Sequence, residues 1–168
     1  NQRVSRSYNG STWGSALPAA NVSALSCPAS SFCLGVGVSG VSTFNGSSWS
    51  APSAPIPTTA TAVVSCSAPT FCAVASGNKV VTYNGTTFGA VSTALDDPKP
   101  FNHVGCASST FCMGADRLTA VNFGTSGFLG RATVGRLGDP SLILDGMTCV
   151  SSALCFAEKT LGFSGEPA

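Results

Sequence analysis

The chain is 168 residues long, only 9% of them are charged and the net charge is about +1, which excludes the basic footprint of a nucleic-acid binder or a polybasic membrane contact. Ala, Ser, Thr, Val and Gly form its bulk, no run approaches the roughly 18 apolar residues of a membrane span, and the length suffices for one domain with a real core. Eight cysteines in a regular pattern point to disulfides and an oxidising compartment, hence to a secreted or extracellular, surface-exposed protein. With no signal peptide in the sequence, the expectation is a removed leader or a longer secreted or surface-anchored chain.

In chain order, Val4–Leu17 reads as two strands around Tyr8-Asn9-Gly10. Val22–Cys27 is a strand ending at a cysteine, Phe32–Val38 a strand beginning beside the next, and Phe44-Asn45-Gly46 marks another turn. The order returns as Ala62–Cys66, Phe71–Ala75, Lys79–Tyr83 and Thr86–Val91 around Asn84-Gly85. It returns again as Asn102–Cys106 and Phe111–Ala115 with a degenerate Phe123-Gly124, and last as Asp145–Cys149 and Cys155–Ala157 with Phe163-Ser164-Gly165. The four strands of a repeat are called a to d here, with a and b flanking the cysteines and c and d flanking the Asn-Gly turn. Asn-Gly between β-formers signals a two-residue type I′ hairpin. No window holds a helical period, and Gly and Pro are abundant.

The cysteines pair in the sequence as Cys27/Cys33, Cys66/Cys72, Cys106/Cys112 and Cys149/Cys155, each with five residues between, at spacings of 39, 40 and 43 residues. Zinc sites draw thiolates from closer pairs or add histidines, and His103 is the only histidine. In-phase repetition therefore favours one local disulfide per repeat, each worth about 2 kcal/mol by loop closure.

Four-stranded units of about 40 residues, each unable to bury both faces alone, follow the pattern of a β-propeller. The expected fold is all-β, a propeller of about four blades with one C-x5-C disulfide each. The repeats fall near 22–61, 62–101, 102–144 and 145–168, and residues 1–21 supply strands to complete the ring or an edge. The last repeat has strands b and c but no d, so closure by exchange of terminal strands is expected, with a larger or oligomeric ring as the other outcome.

The run Cys33-Leu34-Gly35-Val36-Gly37-Val38-Ser39-Gly40-Val41-Ser42-Thr43-Phe44-Asn45-Gly46-Ser47-Ser48-Trp49 resembles the blade sentence of Asp-box (BNR-type, sialidase-like) and photosystem-assembly-factor-like propellers. Its cysteine-bearing form, S-C-x5-C followed by Asn-Gly, is similar to secreted repeat proteins of high-GC actinobacteria. The resemblance covers almost the whole chain and implies a fold rather than an activity. Asn stands at positions 9, 45 and 84 where the box has aspartate, and later copies lose even that.

An antiparallel meander puts the a-b and c-d turns at one end and the b-c and d-a connections at the other. The first end repeats and reads as structural. The second varies and holds ten of the fifteen formal charges. Its b-c loops carry Asn78, Lys79, Asp116, Arg117, Glu158 and Lys159, and its d-a loops carry Asp96, Asp97, Lys99, Arg136 and Asp139. Connecting loops are polar because they are wet, yet loops on a rigid scaffold are also where recognition is placed.

His103, at a strand-a position held elsewhere by Ala24, Val63 and Gly146, is a candidate for an axial channel, against the plainer role of a satisfied core polar group. Trp13, Trp49, Phe88 and Phe128 stand five residues after successive strand-c aromatics. Trp13 and Trp49 are candidate sugar platforms, although such in-phase aromatics are more often spent on packing. Asn9, Asn21, Asn45 and Asn84 head glycosylation sequons, three of them by-products of the turn motif.

No arginine cluster, nucleophile elbow, phosphate loop or metal triad is visible, and the loop carboxylates qualify as a glycosidase pair only by loop class. The expectation is a non-catalytic binding module with no cofactor, taking a protein or a cell-envelope glycan. Alternatives are a structural subunit assembling through an edge blade and a lectin using the aromatics. Neither nucleic acid nor direct membrane insertion is expected, and self-association is allowed.

Overall fold

The computed structural model describes residues 3–19, 22–59, 61–93, 100–116, 119–133 and 144–159. Among them are fifteen strands and no helix. β1 (Arg3–Ser5) and β2 (Leu17–Ala19) form an N-terminal pair. The first repeat sheet holds β3 (Val22–Ala29), β4 (Phe32–Gly37) and β5 (Gly40–Phe44), and the second holds β6 (Val63–Ala68), β7 (Phe71–Ser76), β8 (Lys79–Tyr83) and β9 (Ser92–Thr93). The third holds β10 (His103–Ser108), β11 (Phe111–Ala115), β12 (Thr119–Gly124) and β13 (Gly127–Thr133), and the fourth β14 (Leu144–Ser151) and β15 (Leu154–Lys159). Every pairing is antiparallel between strands consecutive in the chain.

The four local disulfides, Cys27–Cys33, Cys66–Cys72, Cys106–Cys112 and Cys149–Cys155, are present. In the last three sheets the bonded cysteines stand directly opposite each other in register. Strand a does not stop at its cysteine as the sequence suggests. It runs two residues further through a bulge, as between Cys66 and Ala68, and a tight turn such as Pro69-Thr70 then leads into strand b.

Two other expectations are corrected. The Asn-Gly hairpins exist, but their turns are not two-residue loops. Asn84 Oδ1 accepts from the backbone N–H of Thr86 at 3.0 Å and of Thr87 at 2.8 Å, and from the Thr86 hydroxyl at 3.0 Å. Asn9 and Asn45 make the same set with Ser11 and Thr12, and with Ser47 and Ser48. The closing bridge is therefore Tyr83 to Phe88, or Phe44 to Trp49, around a four-residue Asx loop. Strand d, expected at Thr86–Val91, is in the second sheet only the Phe88 bridge followed by β9, and in the first sheet only bridges at Trp49 and Ser53. Among the described residues the third sheet alone has it in full.

The sheets stack in chain order, with β3, β6, β10 and β14 side by side. Burial follows from that stacking. β7 is buried at every position, the signature of a strand covered on both faces, whereas β3 alternates half-buried and exposed. Between the first and second sheets Leu34, Val36, Val41 and Ile56 meet Cys72, Val74, Val81 and Tyr83. Between the second and third, Phe71, Ala73 and Val80 meet Phe101, Val104, Val121 and Phe123. Valine, alanine and cysteine fill most of the space, with Leu34, Ile56, Phe101 and Phe123 the largest side chains fully buried there.

Serine hydroxyls lock the first two seams. Ser26 Oγ accepts the Cys66 N–H at 3.0 Å, and Ser65 Oγ accepts the Cys106 N–H at 3.0 Å. β6 and β10 are edge strands of their sheets, so these bonds satisfy donors that no neighbouring strand can reach. At the third seam the serine position is Gly105. A Cβ there would lie 3.1 Å from the Cys149 amide nitrogen, so glycine lets the two backbones approach directly. β3 and β14 end the row at opposite sides and share no comparable contact, so no closed ring is present among the described residues.

Candidate binding site

The two kinds of turn are segregated. At one end the Asx loops lean on the a-b turns: a Cβ at Gly85, whose φ is +97°, would approach Thr70 Cα to 3.1 Å, and the Thr125 N–H bonds the Ser109 carbonyl at 3.0 Å. This end repeats, and its polar groups are spent on one another.

At the other end the b-c turns are tied to the d-a connections. The Thr59 N–H bonds the buried Ser76 hydroxyl at 3.1 Å, the Phe101 N–H bonds the Gly77 carbonyl at 2.9 Å, and the Asn102 N–H bonds the Ala115 carbonyl at 2.9 Å. The connections are thus anchored at points along a rigid rim. Asn78 and Lys79 sit half-buried on that rim, in and after the turn made by Gly77 (φ +59°), and Glu158 is exposed. Lys159 is the last residue of β15. Asp96, Asp97, Lys99, Arg117, Arg136 and Asp139 lie outside the described residues.

Asp116 departs from the expectation of a wet loop charge: it is 2% exposed. It follows Ala115, whose carbonyl takes the Asn102 N–H, where the incoming connection rejoins the sheet. It is not without a partner, as burial of a carboxylate requires. His103 is half-buried in β10 opposite Ala115 and likewise has a partner. It lies in the row of first strands, where the sequence places a candidate axial residue.

The in-phase aromatics divide. Trp49 is half-buried, packs on Phe44 with ring centroids 5.4 Å apart, and donates its indole N–H to Ser5 Oγ at 2.8 Å. Phe88 and Phe128 are half-buried against the seams. Trp13 is 66% exposed and tilts over Tyr8 at 5.3 Å.

A feature with no signal in the repeat pattern is a groove of about 270 Å³ between the outer edge of the second sheet and the β12–β13 hairpin. Thr82, Ser92 and Ser126 bring hydroxyls to it, and Phe123 and Phe128 bring ring surface. It opens where Gly89 and Ala90 leave the second sheet without bulky side chains. Among the described residues no three His, Cys, Asp or Glu side chains converge in a metal-binding group. No family model and no curated protein sequence matches this chain.

Proposed function

We propose that the chain is a non-catalytic binding module of the cell envelope, built from propeller-type blades outside the cell, which takes a protein or an envelope glycan on its b-c and d-a end. The reading rests on the segregation of turns. One end is a repeated, self-satisfied set of Asx loops and disulfide-flanked turns. The other is an anchored rim into which the sequence directs ten of its fifteen charges. Four short-range disulfides in so small a chain suit an oxidising, extracellular setting. The stacking of blade-sized sheets through their first strands favours propeller geometry over a sandwich.

The test is binding of the purified chain to a glycan array and to isolated cell-wall material and envelope proteins. It compares Lys79→Glu and Glu158→Lys at the rim with Ser152→Glu at the opposite end. Loss of about tenfold or more in affinity confined to the rim variants is expected. Equal binding by all forms, or loss with Ser152→Glu alone, would refute the assignment of the face. A glycan-platform reading has one observation in its favour, the open Trp13–Tyr8 pair. Binding lost only on Trp13→Ala would select it.

A further inference from the structure

We propose that the outer faces of the first and fourth sheets are two halves of one seam, and that a second copy of this chain completes it by head-to-tail docking. The inference stands apart from the binding reading, because it uses the sides of the stack and not its loop end.

The rule for a seam is written twice in the fold. The preceding sheet supplies a hydroxyl just before its first cysteine, an aromatic just before its second and an apolar residue just after it. These are Ser26, Phe32 and Leu34 at the first seam and Ser65, Phe71 and Ala73 at the second. The following sheet supplies the N–H of its first cysteine and a strand-c ring. Phe32 stacks on Tyr83 at 5.9 Å, and Phe71 shares a core with Phe123. Leu34 and Ala73 are fully buried by this arrangement.

The fourth sheet presents the same supplying set, and no described element covers it. Thr148 carries the hydroxyl position and is exposed, Leu154 takes the aromatic position at 46% exposure, and Phe156 takes the apolar position at 59%. Phenylalanine is the bulkiest residue any repeat places there, at the one place where it is left open to solvent. The first sheet presents the receiving set. Cys27 is exposed, Leu25 beside it is 54% exposed, and Phe44 is the half-buried strand-c ring. Their counterparts in the second sheet, Val64 and Cys66, are covered by the first.

β1 and β2 cover only the outer part of the first sheet's receiving face, through Ser5 on Trp49. Among the described residues no a-b pair lies over the inner part, on β3, and β14–β15 is such a pair. The β14–β15 pair of one copy thus fits beside β1–β2 of the next. There it sets Leu154 and Phe156 on Phe44 and Leu25, and offers the Thr148 hydroxyl to the Cys27 N–H. Among the described residues these elements stand at opposite ends of the row β3, β6, β10, β14, and a second copy brings the two together. Such a contact is heterologous and propagates or closes into a ring.

The experiment is light scattering on the sized chain with two blocked forms, Leu25→Glu on the receiving face and Phe156→Glu on the supplying face. Both side chains are exposed in the single copy, and unchanged melting verifies that each variant folds. The wild type should rise with concentration above its 16.8 kDa monomer mass, and each variant alone should remain monomeric. An equimolar mixture of the two should stop at a dimer, because one free head meets one free tail. A wild type that stays monomeric into the submillimolar range, variants that still associate alone, or a mixture that stays monomeric would each overturn the proposal. A monomeric wild type destabilised by Phe156→Glu would show instead that the chain closes on itself.

Discussion

Ser65→Ala isolates the lock of the second seam. The Ser65 hydroxyl accepts the Cys106 N–H at 3.0 Å, Cys106 is 8% exposed, and β10 is an edge strand with no other described strand to take that donor. Alanine leaves a buried amide without its acceptor, which costs about 1–3 kcal/mol. For a chain of this size each kcal/mol lowers Tm by roughly 2–4 °C, so a loss of several degrees is expected. Ser26→Ala should cost less, about 1 kcal/mol or below, because its partner Cys66 is only half-buried and water can replace the hydroxyl. Ser31→Ala, on an exposed turn, serves as the baseline and should stay within about 0.5 kcal/mol. The assay is thermal and urea unfolding with the disulfides intact. Ser65→Ala indistinguishable from Ser31→Ala would refute the claim that these serines hold the sheets together.

Asn84→Ala should destabilise by about 1 kcal/mol, since Oδ1 serves two backbone donors much as a helix cap does; Asn84→Asp keeps the acceptor and should be close to neutral in the same melts. Trp49→Ala should cost roughly 2–4 kcal/mol through lost burial and the orphaned Ser5 contact, whereas Trp13→Ala should cost under about 1 kcal/mol, and equal losses in urea titrations would contradict their different burial. Ser42 is 1% exposed and its hydroxyl has no protein partner, while Val81 and Val121 hold the same position in the next two sheets. Ser42→Val should therefore raise stability by about 1 kcal/mol, and a lowered Tm would mean that the site cannot take the larger side chain.

The strands that pair deepest were legible in the sequence because each is marked twice, by a cysteine at one end and by an apolar run. Phe71-Cys72-Ala73-Val74-Ala75 reads as a strand, and it is one, buried at every position. Strand d was not legible, since Ser50–Ala54 and Gly89–Val91 carry turn formers and lie on the outer edge, where little packing rewards regular pairing. The Asn-Gly turn was misread for a chemical reason. The backbone N–H groups two and three residues after the asparagine both reach Oδ1, the Ser or Thr hydroxyl two residues on joins them, and this stabilises a four-residue loop over the tighter one. Asp116 looked like a loop charge because nothing local marks the connection that rejoins the sheet beside it. The seam serines had a visible sign, Ser-Cys at 26–27 and 65–66 with Gly-Cys at 105–106, but a single sequence cannot say that a hydroxyl reaches the next repeat forty residues on.

Because the main contacts among the described residues run between neighbouring sheets, stability is a sum over seams, and the seams are not equal. The first two bury leucine, isoleucine, valine and phenylalanine side chains, each worth about 1.5–3 kcal/mol. The third joins Ala115 and Ala120 with Met113 and Met147, and Gly105 stands where a serine lock would be. The β14–β15 pair should therefore open as a unit, held together by Cys149–Cys155, well below the global unfolding free energy, while β7 amides exchange only through global unfolding. Hydrogen exchange read strand by strand at low protein concentration checks this, and β14–β15 amides as slow as those of β7 would refute the ranking of the seams. Raising the concentration adds a second reading. If the fourth sheet seats on the first sheet of another copy, protection should rise together in β14–β15 and in β3, and stay unchanged in β7. A rise in one face without the other would separate a weak seam that merely tightens from one that finds its missing half.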